Sequence, residues 1–200
     1  ESAGGSITIS AGSSTNENSG VGGGVTIQSG SALGATGGSV TILSGRSNRF
    51  TSGGVSLSTQ NSGSSGASGA VQISSGTSTG SGTGSISLTT GDSASGAAGG
   101  ISLRSGQGSI ARGGSSVGGN VVIGAGASTT TTGGSIHLSS GRGQQTTSGQ
   151  IIISTQNAGK NGASGAIALS TGTSSAGASG SLTLATGSSK ESTSGDIKLA

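Results

Sequence analysis

The sequence predicts an all-β protein, built as a single parallel β-solenoid (β-helix) of thirteen coils with about 15 residues each. Three observations predict this fold. Aliphatic residues two positions apart recur along the whole chain, a Gly precedes every such pair at the same distance, and successive pairs follow at a nearly constant spacing. We expect residues 1–200 to form one continuous array, a fragment of a longer repeat protein.

Each repeat contains one aliphatic pair, and alternation places both members of a pair on the same face of a strand. We call the first residue of each pair its first member. Successive first members are 18, 15, 15, 16, 15, 15, 20, 15, 15, 16, 15 and 15 residues apart. The pairs are Ile7/Ile9, Val25/Ile27, Val40/Ile42, Val55/Leu57, Val71/Ile73, Ile86/Leu88, Ile101/Leu103, Val121/Ile123, Ile136/Leu138, Ile151/Ile153, Ile167/Leu169, Leu182/Leu184 and Ile197/Leu199.

Glycines mark both sides of the aliphatic pairs. A Gly stands two residues before every first member, and another stands five residues after it in ten of twelve repeats, with Gln60 and Gln156 as the exceptions. We expect these glycines to turn the chain through backbone conformations that other residues avoid. A flexible linker has a similar composition, with 46 Gly in 200 residues, but it has no reason to keep this register.

A longer period contains six repeats. The triplets Thr59-Gln60-Asn61 and Thr155-Gln156-Asn157 are 96 residues apart, as are Arg46 and Arg142. The chain therefore holds about two copies of a six-coil super-repeat.

The residue four positions after each first member is always small, and alternation places it on the same inward face as the pair. Each coil would then bury two aliphatic residues and one small residue, a core so thin that stability has to come from stacking on neighbouring coils. We expect end-to-end continuation or self-association, because open solenoid ends expose unpaired strand edges. The small residues are Ala11, Ser29, Ser44, Thr59, Ser75, Thr90, Ser105, Ala125, Ser140, Thr155, Thr171 and Thr186.

Composition and charge argue against several classes of function. The net charge of +3 comes from scattered Lys and Arg, and the near-absence of aromatic residues leaves nothing to stack on bases, so no nucleic acid is expected as a partner. Without Cys there is no disulfide or thiol chemistry. No run of about 18 apolar residues is present, so no membrane span is expected.

No residue is predicted to be catalytic, cofactor-binding or metal-ligating, and no cofactor is expected. His137 lies between two aliphatic residues and is expected to face solvent, and the acids Glu1, Glu17, Asp92, Glu191 and Asp196 form no recurring pair. The Gly-rich turns lack the Gly-Lys-Ser/Thr of a phosphate loop, and calcium-binding repeats need an Asp in each repeat.

Two outward-facing sets of residues carry alternative interpretations. A row of hydroxyls between the pair members resembles the Thr ladders of antifreeze β-solenoids, which implies ice binding: Thr8, Thr26, Thr41, Ser56, Ser87, Ser102 and Thr183. Apolar residues off the pair register are either ordinary exposed side chains or lateral contacts with other subunits. They are Leu33, Leu43, Phe50, Ile110, Val122 and Ile152.

Segments 37–45 (GGSVTILSG) and 164–172 (SGAIALSTG) resemble the Gly/Ser/Thr-rich repeat proteins of diatoms and other stramenopile algae, a resemblance that spans the whole chain. It implies a large secreted or surface protein without catalytic residues. The sequence thus predicts a non-enzymatic structural protein, the shaft of an extracellular or cell-surface fibre. An ice-binding solenoid and an adhesin stalk are the alternatives, a polysaccharide-processing β-helix is a third, and polysaccharides or cell surfaces are further candidate partners.

Overall fold

The computed structural model describes residues 4–16, 19–109 and 117–199, and these residues form neither helices nor β-strands. The predicted β-solenoid is therefore wrong, and so is its description as a β-helix. Segments that carry the aliphatic pairs alternate with short bends, and no ladder of strand hydrogen bonds joins one repeat to the next within the described ranges.

The predicted buried seam of aliphatic pairs is also wrong. In the described part of the chain no hydrophobic side chain is buried: Val40 is 53% exposed and Ile42 is 70% exposed. The accessible surface is 19733 Å², compared with about 8,000 Å² for a compact protein of this mass. Two aliphatic residues and one small residue per repeat supply too little apolar surface to exclude water from a core.

The chain divides into two units, Glu1–Ile101 and Ser102–Ala200. Their lengths are close to the 96-residue period, and each unit contains the same kind of local structure, a series of loops closed at their base. Whether residues 1–200 form one continuous array stays a prediction.

Each closed loop is held at a neck, which we define as the glycine two residues before a first member together with the small residue of the preceding repeat. The neck glycine donates its backbone N–H to the carbonyl oxygen of the residue that follows the small residue. Six necks are closed in this way: Gly23 to Gly12 (2.8 Å), Gly38 to Gly30 (2.9 Å), Gly53 to Gly45 (2.9 Å), Gly119 to Gly106 (3.0 Å), Gly134 to Gly126 (2.8 Å) and Gly149 to Gly141 (2.9 Å).

Close approach is the reason for glycine at the necks. A Cβ built on Gly38 would lie 3.2 Å from the Ser29 Cβ and 3.3 Å from the Gly30 nitrogen, tighter than most real Cβ contacts. The expectation that these glycines adopt unusual backbone angles is wrong, because among the described residues only Gly66 has a positive φ, of 116°. At Gly23, Gly38, Gly119 and Gly134, where a Cβ would come within 3.1 to 3.3 Å of the facing segment, glycine is thus required for space and not for conformation.

Thr at the small position occurs only in open necks. All six closed necks have Ala or Ser there, whereas five of the other six have Thr and one has Ser75. In the Thr necks the methyl group lies 3.4 to 3.9 Å from a Cβ built on the glycine, and no backbone atom of the preceding segment comes within 4 Å of it. The β-branched side chain therefore holds the two backbones too far apart to bond.

The pattern of closed necks repeats in the two units. The necks at Gly38 and Gly53 are closed in the first unit, and those at Gly134 and Gly149, 96 residues later, are closed in the second. The 96-residue period of the sequence is thus also a period of the structure.

We expect Gly38→Ala to open its neck, because the added methyl would crowd Ser29 and Gly30. Losing the hydrogen bond removes about 1 kcal/mol, so amide exchange at position 38 should become about fivefold faster relative to an unstructured peptide of the same sequence. Gly30→Ala is the control, since its Cβ would meet nothing within 4 Å. Equal effects of the two substitutions would contradict the requirement for space at position 38.

Ser44→Thr should open the neck at Gly53 by introducing the methyl group found in the open necks, and Gly53 amide exchange should again become about fivefold faster. Ser44→Ala is the matched control, because Ala11 and Ala125 occupy this position in closed necks. If Thr and Ala have the same effect on Gly53, the branched methyl does not decide closure.

Candidate functional site

The aliphatic pairs form the most regular surface of the protein. In the eleven pairs from Val25 to Leu184, and at Ile197, first members are 51% to 61% exposed, and in the eleven pairs second members are 63% to 76% exposed. Each pair is therefore partly shielded by the chain, and the remaining apolar surface faces solvent.

Exposure alternates along the segments that carry the pairs. Val122 is 88% exposed, whereas its neighbours Val121 and Ile123 in the pair are 56% and 68% exposed. Ile152, between two pair members, is likewise 77% exposed. The alternation read from the sequence is thus present as a difference in exposure, although neither side of the segment is buried.

The pairs leave enough apolar surface for an interface. Burying an aliphatic side chain completely removes about 90 Å² of apolar surface from water, which stabilises by roughly 2 kcal/mol. A side chain that is already one third to one half covered still offers about 60 Å². Twelve such side chains together present roughly 700 Å², close to the area that each partner contributes to a stable protein complex.

Serine side chains organise the tips of the loops. Six serines, each two residues after the glycine that begins a loop, accept a hydrogen bond from the backbone N–H three residues later, which makes a serine turn. The bonds run from Phe50 to Ser47 (2.9 Å), Ser81 to Ser78 (3.2 Å), Gly96 to Ser93 (3.0 Å), Thr131 to Ser128 (3.0 Å), Gly177 to Ser174 (3.1 Å) and Ser192 to Ser189 (3.0 Å).

The sequence analysis missed these serines, although the Gly-x-Ser spacing could have revealed them. The loop that begins at Gly141 departs from the pattern, since Gly143 stands 96 residues after Ser47. A Cβ built on Gly143 would collide with the carbonyl oxygens of Thr146 and Thr147, so this loop closes backbone against backbone. Ser47 and Gly143 are both half-buried, which almost no other described residue is, so this position is closely packed in both loops.

The polar residues singled out from the sequence do not come together. His137, Asp92 and Glu191 are exposed, and within the described residues no three His, Cys, Asp or Glu side chains are grouped as metal ligands. Asp196 lies 4.0 Å from the Lys198 ammonium with both side chains largely exposed, a contact of little energetic value. Glu1 and Glu17 lie outside the described residues, and the absence of functional polar residues stays a prediction.

The structure bears differently on the row of hydroxyls and on the apolar residues outside the pairs. A flat plane of Thr and Ser requires strands to hold it, and the described residues that carry this row form none, so the structure does not favour the ice-binding interpretation. Among the off-register apolar residues, Leu33, Leu43 and Phe50 are 111%, 85% and 87% exposed. Ile110 lies outside the described residues.

No helix long and apolar enough to cross a membrane occurs in the described ranges. Comparison of the chain with protein-family models, with curated proteins and with solved structures finds no match. The proposals below therefore depend on the chemistry of the chain itself.

We expect Ser93→Ala to loosen its loop tip, because the Gly96 N–H loses its acceptor. The loss of one exposed hydrogen bond corresponds to about 1 kcal/mol, and the temperature coefficient of the Gly96 amide shift should rise toward the value of an open chain. Ser95→Ala, in the same loop, is the control. A coefficient that changes equally in both variants would show that the Ser93 hydroxyl does not hold the turn.

Proposed function

We propose that the chain is a non-enzymatic structural protein that self-associates, as a segment of an extracellular or cell-surface fibre. The observation that carries the proposal is the series of partly exposed aliphatic pairs, repeated at nearly constant spacing between loops. Many weak apolar contacts at equal intervals suit lengthwise association, since each adds to the others once two chains are aligned.

Exposure of the polar side chains supports a structural role over a catalytic one. Enzymes hold reacting groups in fixed geometry and exclude water from them. Six serine hydroxyls of this chain instead accept hydrogen bonds from backbone N–H groups of their own loops. A polysaccharide-processing enzyme would need carboxylates grouped in a cleft, and Asp92, Glu191 and Asp196 are separately exposed.

The proposed location outside the cell derives from the Gly/Ser/Thr-rich repeats, which resemble those of algal surface proteins. A stalk that carries an adhesive domain is a variant of the same structural role, in which parts beyond this chain bind the target.

Association should depend on apolar burial and not on charge. We expect the purified chain to sediment as particles much larger than 18.1 kDa, to form fibres visible by electron microscopy, and to assemble more readily in sulfate. Sodium chloride should not dissolve the fibres, because only 6% of residues are charged. A chain that stays monomeric at every concentration and in sulfate would contradict the proposal.

A further inference from the structure

We propose that two copies of this chain pair in parallel with a stagger of 96 residues, so that residues 25–103 of one molecule pack on residues 121–199 of the next. We call these segments the first block and the second block. The inference rests on the proposed structural function and names its partner, which is a second copy of the same chain.

The two blocks match in length and spacing. Each contains six aliphatic pairs, and the first members follow at 15, 15, 16, 15 and 15 residues in both. A shift of 96 residues therefore brings every pair of the first block level with a pair of the second, including across the longer repeats that contain Gln60 and Gln156.

The area of contact is sufficient. The twelve pair residues of one block present roughly 700 Å² of apolar surface, compared with about 800 Å² per partner in a typical stable complex. Loops that flank the pairs would add further contacts at the edges. A second copy would thus cover the surface that the repeat itself leaves half open.

Side-chain size favours pairing of unlike blocks. The exposed Leu43 and Phe50 of the first block have Ser139 and Thr146 as their counterparts 96 residues later. Conversely, Ile152 of the second block corresponds to Ser56. With the stagger, a bulky side chain meets a small one, whereas pairing of identical blocks in register would set Leu43 against Leu43.

Charge favours the same arrangement. Identical blocks in register would place every charged residue opposite its own copy, and like charges in opposition are unfavourable. With the stagger, Arg49 meets Gln145 and Lys160 meets Ser64, and only Arg46 and Arg142 meet as like charges. The remaining charged residues of the second block also meet uncharged counterparts in the first.

Staggered pairing is open-ended. After the first block of one molecule binds the second block of another, each molecule still has one free block, so addition continues without closure. The stagger thus accounts for how a chain of 200 residues would extend into a fibre.

The test uses two full-length variants that carry changes in one block each. The first-block variant has Ile42→Ser, Leu57→Ser and Ile73→Ser, and the second-block variant has the equivalent changes Leu138→Ser, Ile153→Ser and Leu169→Ser. All six side chains are 66% to 76% exposed, so their replacement disturbs no core. Val21→Ser with Val117→Ser is the control, at exposed positions outside both blocks.

Analytical ultracentrifugation should show each block variant alone as a monomer and the control as a fibre former. An equimolar mixture of the two variants should form a discrete dimer of 36.2 kDa, twice 18.1 kDa. One intact first block then binds one intact second block, and the damaged blocks stop growth. We expect this dimer at concentrations at least about tenfold below those at which either variant self-associates.

Other outcomes would overturn the stagger in distinguishable ways. Dimers of each variant alone, with no gain on mixing, would mean that identical blocks pair. Fibres from all variants would mean that the aliphatic pairs are not the interface, and in both cases the structural function would stand. If the wild-type chain does not associate, the result contradicts both the proposed function and the staggered pairing.

Discussion

The structure depends on how closely two backbone segments approach at each neck. A glycine without a side chain lies against Ala or Ser, and only then does its N–H reach the carbonyl oxygen that closes the loop. In the five open necks that have Thr, its methyl group lies between the segments, whereas the neck at Ser75 is open without one. Because Ala125 and Ser140 stand 96 residues after Ser29 and Ser44, both units close equivalent loops at these positions.

Local closure without a core has consequences for the surface. Six loops are held by a neck bond and six loop tips by a serine turn, so the hydrogen bonds that order the described residues are local and close single loops. The aliphatic pairs are then left partly exposed at regular intervals. Apolar surface that a chain does not bury within itself is available to a partner, and we propose a second copy because it has the same spacing.

Part of this arrangement could be predicted from sequence. The pairs, the neck glycines, the small position and the 96-residue period are all visible in the residues, and each has a structural counterpart. Exposure even alternates around Val122 and Ile152 as periodicity indicates. The prediction of a β-solenoid was wrong because alternation shows which residues share a face. It does not show whether another segment covers that face. In this chain no strand forms in the described residues to cover it.

The sequence by itself determined the repeat, its register and the positions where only small residues occur, because these are properties of residue type and spacing. Only the tertiary structure decided which contacts the repeats make and which residues they leave exposed. It placed each neck glycine against the small residue before it, separated Thr necks from Ala and Ser necks, and left Val40 and Ile42 half open to solvent. Closure of a neck depends on differences of a few tenths of an ångström in the distance between two backbone segments. The spacing of residues along the chain does not encode such differences.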